Sequence, residues 1–193
     1  MKTLHNITIV ILAGGQARRM GGQDKGLIPY QGKPLIEHTL DQLPYEPERV
    51  LISANRNLEE YAAYGEVIQD SLPNHAGPLA GILTAMQHSR SDYLLTLPCD
   101  SPRLPEDLVT RLRSGLESDE ADIAVARCDD RNHYVIALLK TGLMADLQDY
   151  LAQGGRRVGE WQSRHKVVKV RFDDCREQFI NINTPQDLTA STD

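Results

Sequence analysis

Short β-rich apolar runs alternate with helix-periodic runs through the first two thirds of this 193-residue chain. That order leads to a parallel sheet with helices packed on it. Ile7–Leu12 is a continuous β-rich run that ends on glycines, and within 34–43 the residues Ile36, Leu40 and Leu43 recur at helical spacing. Residues 49–53 predict a second strand, 58–64 a short helix and 67–69 a third strand. Pro78 opens a helix whose Leu79, Ile82, Leu83 and Met86 form one apolar stripe. A fourth, buried strand is expected at 93–97, followed by the Pro98 to Pro102 turn and a helix over 105–116.

The pattern is less regular beyond residue 120. Residues 122–126 and 134–139 predict strands separated by a polar turn at 128–132, the signature of an antiparallel hairpin. A helix is expected over 142–153, stopped by Gly154 and Gly155. Strands are predicted at 167–172 and 179–182, and a closing helix at 185–188. With no repeat, linker or low-complexity tract, the expectation is one domain, 1–193, in two parts: 1–119 and a second lobe, 120–193.

The chain carries 21 Lys+Arg against 27 Asp+Glu, a formal net charge of −6. A mildly acidic surface argues against coating nucleic acid or an anionic membrane, both of which need a broad basic face. The charge is unevenly spread: residues 1–33 hold Lys2, Arg18, Arg19, Lys25 and Lys33 against Asp24 alone, a local +4. No apolar run approaches the roughly 20 residues of a membrane helix. The N-terminal apolar stretch runs directly into Gly14, Gly15, Arg18 and Arg19, as a strand and loop would, rather than into a cleavage site. Cys99, Cys128 and Cys175 are too far apart for a zinc knuckle or a CxxC pair, and their odd number suits a reducing compartment, so the cytoplasm is expected.

The stretch from Leu12 to Lys25 carries the most chemistry. In an open parallel sheet, ligands bind beyond the carboxyl ends of the strands, which is where this loop falls. Gly14 and Gly15 let backbone N–H groups approach a phosphate, and Arg18, Arg19 and Lys25 add positive charge where a triphosphate would lie. The loop is not a GxGxxG turn, because Gln16 and Ala17 follow the glycine pair. It is not a Walker loop either, because Asp24 precedes Lys25 and Gly26 follows it. Asp100 lies just past the 93–97 strand between two prolines, a carboxylate on a stiff turn at the same sheet edge.

The string from Leu12-Ala13-Gly14-Gly15 through Arg19-Met20-Gly21 to Lys25 resembles the nucleotidyltransferase signature LAGG-x3-RMG-x3-K. Further segments follow in order: Asp24-Lys25-Gly26, Gly32-Lys33-Pro34-Leu35, Asn55-Arg56, Asp70-Ser71, Gly77-Pro78-Leu79-Ala80-Gly81, Pro98-Cys99-Asp100 and Asn181-Ile182-Asn183-Thr184-Pro185. Together they resemble the molybdenum cofactor guanylyltransferase family over almost the whole chain. The first loop alone is shared with many sugar nucleotidyltransferases.

The resemblance implies a Rossmann-like, three-layer α/β/α fold with a mainly parallel sheet. It implies transfer of GMP from GTP to the terminal phosphate of molybdopterin, with release of pyrophosphate. GTP and molybdopterin cofactor are then the partners, with room for transient contact with cofactor-synthesis proteins or recipient molybdoenzymes, and Mg²⁺ the cofactor. Asp100 is the implied magnesium ligand, in keeping with that ion's taste for one or two carboxylates plus phosphate oxygens. The sequence identifies no second one. Arg19 and Lys25 are the candidates for stabilising charge on the α-phosphate and departing pyrophosphate, while Arg18 reads equally well as a solvated neighbour. Leu12, Ala13, Gly14, Gly15, Lys25, Asn55, Asp70, Gly77 and Asp100 form the implied GTP site.

Relatives with Asn-Ala-Asn have their counterpart here in Ser53-Ala54-Asn55, and serine reaches less far, so the match stands at Asn55. Asn181 and Asn183 are favoured for the acceptor. His133, Arg156 and Arg157 fall in the same lobe, where ordinary surface or edge roles serve equally well. Small residues at Gly77 and Gly81 permit tight approach of a helix start, and core packing accounts for Gly81 equally well. His5, His38, His75, His88 and His165 show no metal-ligand spacing. The residues leave two other readings open: a related transferase using CTP or a sugar-phosphate acceptor, and a non-catalytic carrier of the cofactor.

Overall fold

Ile7–Leu12 (β1) has apolar side chains on both of its faces, so it needs cover on both, and it lies inside a seven-stranded sheet. The computed structural model describes residues 6–14, 24–43, 49–70, 77–182 and 184–190. A 3-10 turn (Lys25–Leu27) leads to a small antiparallel ribbon, β2 (Pro29–Tyr30) and β3 (Lys33–Pro34). Its Gln31-Gly32 turn has positive φ at both residues, the geometry that joins two adjacent strands without splaying them. Then follow α1 (Leu35–Asp41), β4 (Arg49–Ser53), α2 (Leu58–Tyr61), β5 (Glu66–Ile68), α3 (Pro78–His88), β6 (Tyr93–Pro98) and α4 (Leu108–Ser118). The second part runs β7 (Ile123–Cys128), β8 (Arg131–Lys140), α5 (Met144–Ala152), α6 (Val158–Gln162), β9 (Val167–Arg171), a 3-10 segment (Asp173–Gln178) and α7 (Pro185–Ala190).

The strands lie in the order β5-β4-β1-β6-β8-β7-β9. β1 pairs in parallel with both β4 and β6, and only β8 runs against its neighbours. The chain leaves β1 toward β4 on one side and later returns to β6 on the other. The carboxyl ends around β1 are therefore a topological switch point, the place where such sheets bind ligands.

Alternate residues of the same strands feed two cores. Ile9, Ile11, Ile52, Leu95, Leu97, Ala124, Ala126 and Leu138 face α1, α2 and α4, with Ile36, Tyr61, Leu108 and Leu112 packed on them. Val10, Leu51, Leu94, Ile123, Val125, Ala137 and Leu139 face α3, α5 and α6, with Ile82, Leu147 and Trp161 packed on them. A period of two along each strand and helices on both sides give three layers, as expected for the α/β class.

Besides the β2–β3 ribbon, which was not expected, and α2, which ends at Tyr61 rather than 64, the structure departs from expectation in four further places. α4 begins at Leu108 rather than 105: Leu108 N–H closes a separate turn on the Pro105 carbonyl, and the helical bonds start with Arg111 N–H on the Asp107 carbonyl. Residues 179–182 are irregular rather than a strand. Ile182 N–H donates to the Asp100 carbonyl, on a turn, so the pairing has no ladder along which to extend. α6 was not expected; its Trp161 is fully buried and donates to Asp146 at 2.9 Å. β8 starts at Arg131 and carries a bulge: Val125 pairs with Ala137 but Ala126 with His133. Two carbonyls freed there are met by side chains, Tyr134 O by Gln162 at 2.9 Å and Val135 O by the Thr96 hydroxyl at 2.7 Å. Bulges of this kind re-aim a strand end beside a functional edge.

Candidate active site

Backbone hydrogen bonds continue past the ends of the central strands. Ala13 N–H donates to Ser53 O at 2.9 Å, Ala54 N–H to Ile68 O at 3.0 Å and Cys99 N–H to Leu12 O at 3.3 Å. Leu12 ends β1, and Ala13 is buried behind it. The segments carrying Gly14, Asn55, Asp70 and Asp100 thus leave the sheet side by side. Gly15 and Arg19, like Arg18 and Asn183, lie outside the described residues.

Lys25 opens the 3-10 turn and its ammonium pairs with Asp100 Oδ2, the two side chains only 18% and 13% exposed. The other carboxylate oxygen of Asp100, Oδ1, is buried and has no hydrogen-bond partner among the described residues. An oxygen in that state costs free energy unless something electropositive meets it. A hard cation with oxygen ligands fits this donor. Next to it, Cys99 is wholly buried, and burial followed by the Asp100 charge pushes its thiol far above the ordinary range. It is a packed hydrophobe, not a nucleophile. Cys128, Asp129 and Asp173 also cluster at the β7–β8 turn, but Arg176 and Arg171 already pair with the two carboxylates at 2.5 and 2.7 Å.

Asn55 and Asp70 bind each other reciprocally. Asn55 Nδ2 donates to Asp70 Oδ2 at 2.8 Å, and Asp70 N–H donates to Asn55 Oδ1 at 3.0 Å. Each keeps hydrogen-bonding capacity beyond this pair, since a carboxylate and an amide can make more than two bonds. Gly14 sits against them: a Cβ there would be 3.4 Å from Asn55 Nδ2. Ser53 is buried under α3, where a Cβ on Gly81 would collide with its hydroxyl. The serine that replaces asparagine is therefore a packing residue. Gly77, with φ 72 and ψ −162, occupies a conformation open to glycine alone and lets α3 start directly at Pro78.

On the other side of Asp100, the fully buried Ser101 donates to Asn181 Oδ1 at 3.0 Å, and Ile182 N–H reaches the Asp100 carbonyl at 3.0 Å. The segment around Asn181 is thereby clamped to the Asp100 turn. Arg156 is spent on the Leu151 and Gly155 carbonyls at the end of α5, and Arg157 pairs with Glu160 on the surface. His133, at the start of β8, is buried with its ring 4.9 Å from that of Phe179. Burial, and then the charge of Arg131, hold its imidazole below the ordinary value.

Sequence reasoning gave no role to three residues that build this site: Ser101, Asp24 and Tyr61. Asp24 is buried, and its carboxylate accepts from the Tyr61 hydroxyl at 2.5 Å. The only signal was the aspartate's place beside Lys25, since a tyrosine on a short helix carries none.

Comparison with known proteins identifies the family. The sequence profile of the MobA-like NTP transferase domain matches residues 9–167. Molybdenum cofactor guanylyltransferase of Shewanella amazonensis is 46% identical over 183 residues, covering 94% of this chain and 93% of that one. The chain belongs to the molybdenum cofactor guanylyltransferase family. The Shewanella sp. ANA-3 member of this family is 45% identical over 181 residues, 93% of this chain and 92% of its own. Among solved structures, molybdopterin-guanine dinucleotide biosynthesis protein A from Archaeoglobus fulgidus superposes with a TM-score of 0.77 at 25% identity, covering 95% of each chain. The family makes this chain a nucleotidyltransferase. No helix among the described residues is long and apolar enough to cross a membrane.

Proposed function

We propose that this chain transfers GMP from GTP to molybdopterin cofactor, forming molybdopterin guanine dinucleotide and pyrophosphate with Mg²⁺. The observation that carries this reading is the Lys25–Asp100 pair, with its buried and unpartnered Asp100 Oδ1, at the switch point of the sheet. The backbone at Leu12, Ala13 and Gly14, with Asn55 and Asp70, reads guanine, which presents N–H donors beside an acceptor oxygen, and Gly15 lets the backbone approach the phosphates. Gly77 brings the start of α3 to the phosphates, whose negative charge suits free N–H groups.

The acceptor phosphate is already largely ionised near neutral pH, so the protein needs no general base. Its task is to align two polyanions and offset the charge that builds on the α-phosphate and the leaving pyrophosphate. Arg19 and Lys25 do this with their cationic heads. Asp100 would hold magnesium, which would offset the negative charge of the triphosphate. Asn181, held by Ser101, and Asn183 receive the acceptor, so residues 1–119 form the nucleotide part and 120–193 the acceptor side of one domain. The free cysteines Cys99, Cys128 and Cys175 suit a cytoplasmic enzyme. There it would hand its product to recipient molybdoenzymes by transient contact.

The test is pyrophosphate release with molybdopterin present, comparing GTP with CTP, with and without Mg²⁺. GTP with Mg²⁺ should turn over, and Asp100→Ala and Lys25→Ala should each cost at least about a hundredfold. Equal turnover with CTP would overturn the guanylyl assignment, and GTP binding without product would leave a carrier.

A further inference from the structure

We propose that Asp24 and Tyr61 are a positioning pair that holds the Lys25 ammonium in place for the reaction, an inference that rests on the reading of Lys25 above. Lys25 has a flexible four-carbon stem, and a charge that must act on a transition state is effective only when its position is set beforehand. The Asp100 pair meets its head, and the backbone on both sides of it is held by one tyrosine.

On the N-terminal side, the carboxylate of Asp24, only 8% exposed, accepts from Tyr61 Oη–H at 2.5 Å and from Asn57 Nδ2 at 3.4 Å. Burying a carboxylate is expensive unless donors meet it, so these bonds tie Asp24 to one place. On the C-terminal side, a Cβ on Gly26 would lie 2.5 Å from Tyr61 Oη and 3.1 Å from its Cε1. The hydroxyl end of the Tyr61 ring therefore lies against Gly26, where a side chain would collide with it. Leu27 N–H to Asp24 O at 3.1 Å and Ile28 N–H to Lys25 O at 3.3 Å close the turn around Lys25. Tyr61 itself is fully buried, and burial foremost, with the Asp24 bond next, keeps its phenol protonated and donating.

The clamp also spans the site. Tyr61 belongs to α2, whose Tyr61 N–H donates to Asn57 O at 3.1 Å, and Asn57 sits in a left-handed conformation two residues beyond Asn55. The turn presenting Lys25 to Asp100 is thus tied to the same β4–α2 loop whose Asn55 holds Asp70. Loss of the Tyr61 hydroxyl should loosen the lysine without removing any group that touches substrate.

Tyr61→Phe deletes that hydroxyl, and Asp24→Asn keeps the shape while removing the charge. Each is measured for kcat and GTP KM with molybdopterin present, and for thermal melting, in the wild-type and Lys25→Ala backgrounds. Single-turnover rates serve where steady state is too slow. Tyr61→Phe should lower kcat about tenfold or more, since misplacement on the ångström scale costs that much, with GTP KM changed less than about twofold. In the Lys25→Ala background the same change should alter the rate less than about twofold, because no ammonium is left to position. Asp24→Asn should follow the same pattern if Tyr61→Phe melts too low to assay. An equal loss in both backgrounds would make the pair merely structural and overturn the proposal, as would an unchanged kcat in Tyr61→Phe. Full activity of Lys25→Ala would instead overturn the reading of Lys25 and remove the basis of the positioning pair.

Discussion

Lys25 and Asp100 stand 75 positions apart, and they meet because one follows β1 and the other follows its parallel neighbour β6. The same edge draws in His133 from the antiparallel β8. Its imidazole is depressed below 6.5 by burial and by Arg131, and its ring packs on Phe179. The unfolded chain then takes up a proton at a higher pH than the folded one. The stability contributed by neutral His133 is fully present above about pH 6.5 and is lost as pH falls through the lower folded value. Melting temperature should therefore fall more steeply between about pH 7 and 5 in the wild type than in His133→Gln. Parallel curves would remove His133 as the cause.

At the level of elements, the approach of α3 to the sheet governs the nucleotide edge. A Cβ on Gly81 would strike the Ser53 hydroxyl and come within 2.9 Å of Leu12 Cδ2. Gly81→Ala should cost about 1–3 kcal/mol in urea denaturation, the usual scale of overpacking. Adding Ser53→Ala should restore part of that, since it removes the nearest atom; no restoration would place the strain elsewhere. Most elements were legible because their signals are local. Ile36 and Leu40 mark a helix by spacing, and Ile7–Leu12 marks a buried strand by continuity. The exceptions have equally local reasons. α6 has five residues and one large anchor, Trp161, too little to show a period. The β8 bulge is held by Thr96 and Gln162, which come from other elements. Residues 179–182 look β-rich, yet their position is decided by the Asp100 turn.

For the molecule as a whole, the net charge of −6 conceals a basic N-terminal segment, and a triphosphate with its metal should be drawn to that end alone. Ligands that bind only the folded chain raise its stability, by about 2.7 kcal/mol at about one hundred times Kd. GTP with Mg²⁺ should accordingly raise the melting temperature by several degrees. Asp100→Asn should lose the part of the shift that depends on Mg²⁺, and a full shift in that variant would move the metal off Asp100.

Most of the order of strands and helices, the glycine-basic loop after β1 and the carboxylate at the end of β6 were readable in the sequence. Periodicity, glycine and proline chemistry and the sheet-edge rule act within a few residues. Folding alone decided that Lys25 pairs with Asp100, that Tyr61 holds Asp24, that Ser101 holds Asn181 and that Ser53 is packing under Gly81. These contacts join segments brought together by strand register and crossovers, and the free energy of burying two groups against each other exists only once both are in place.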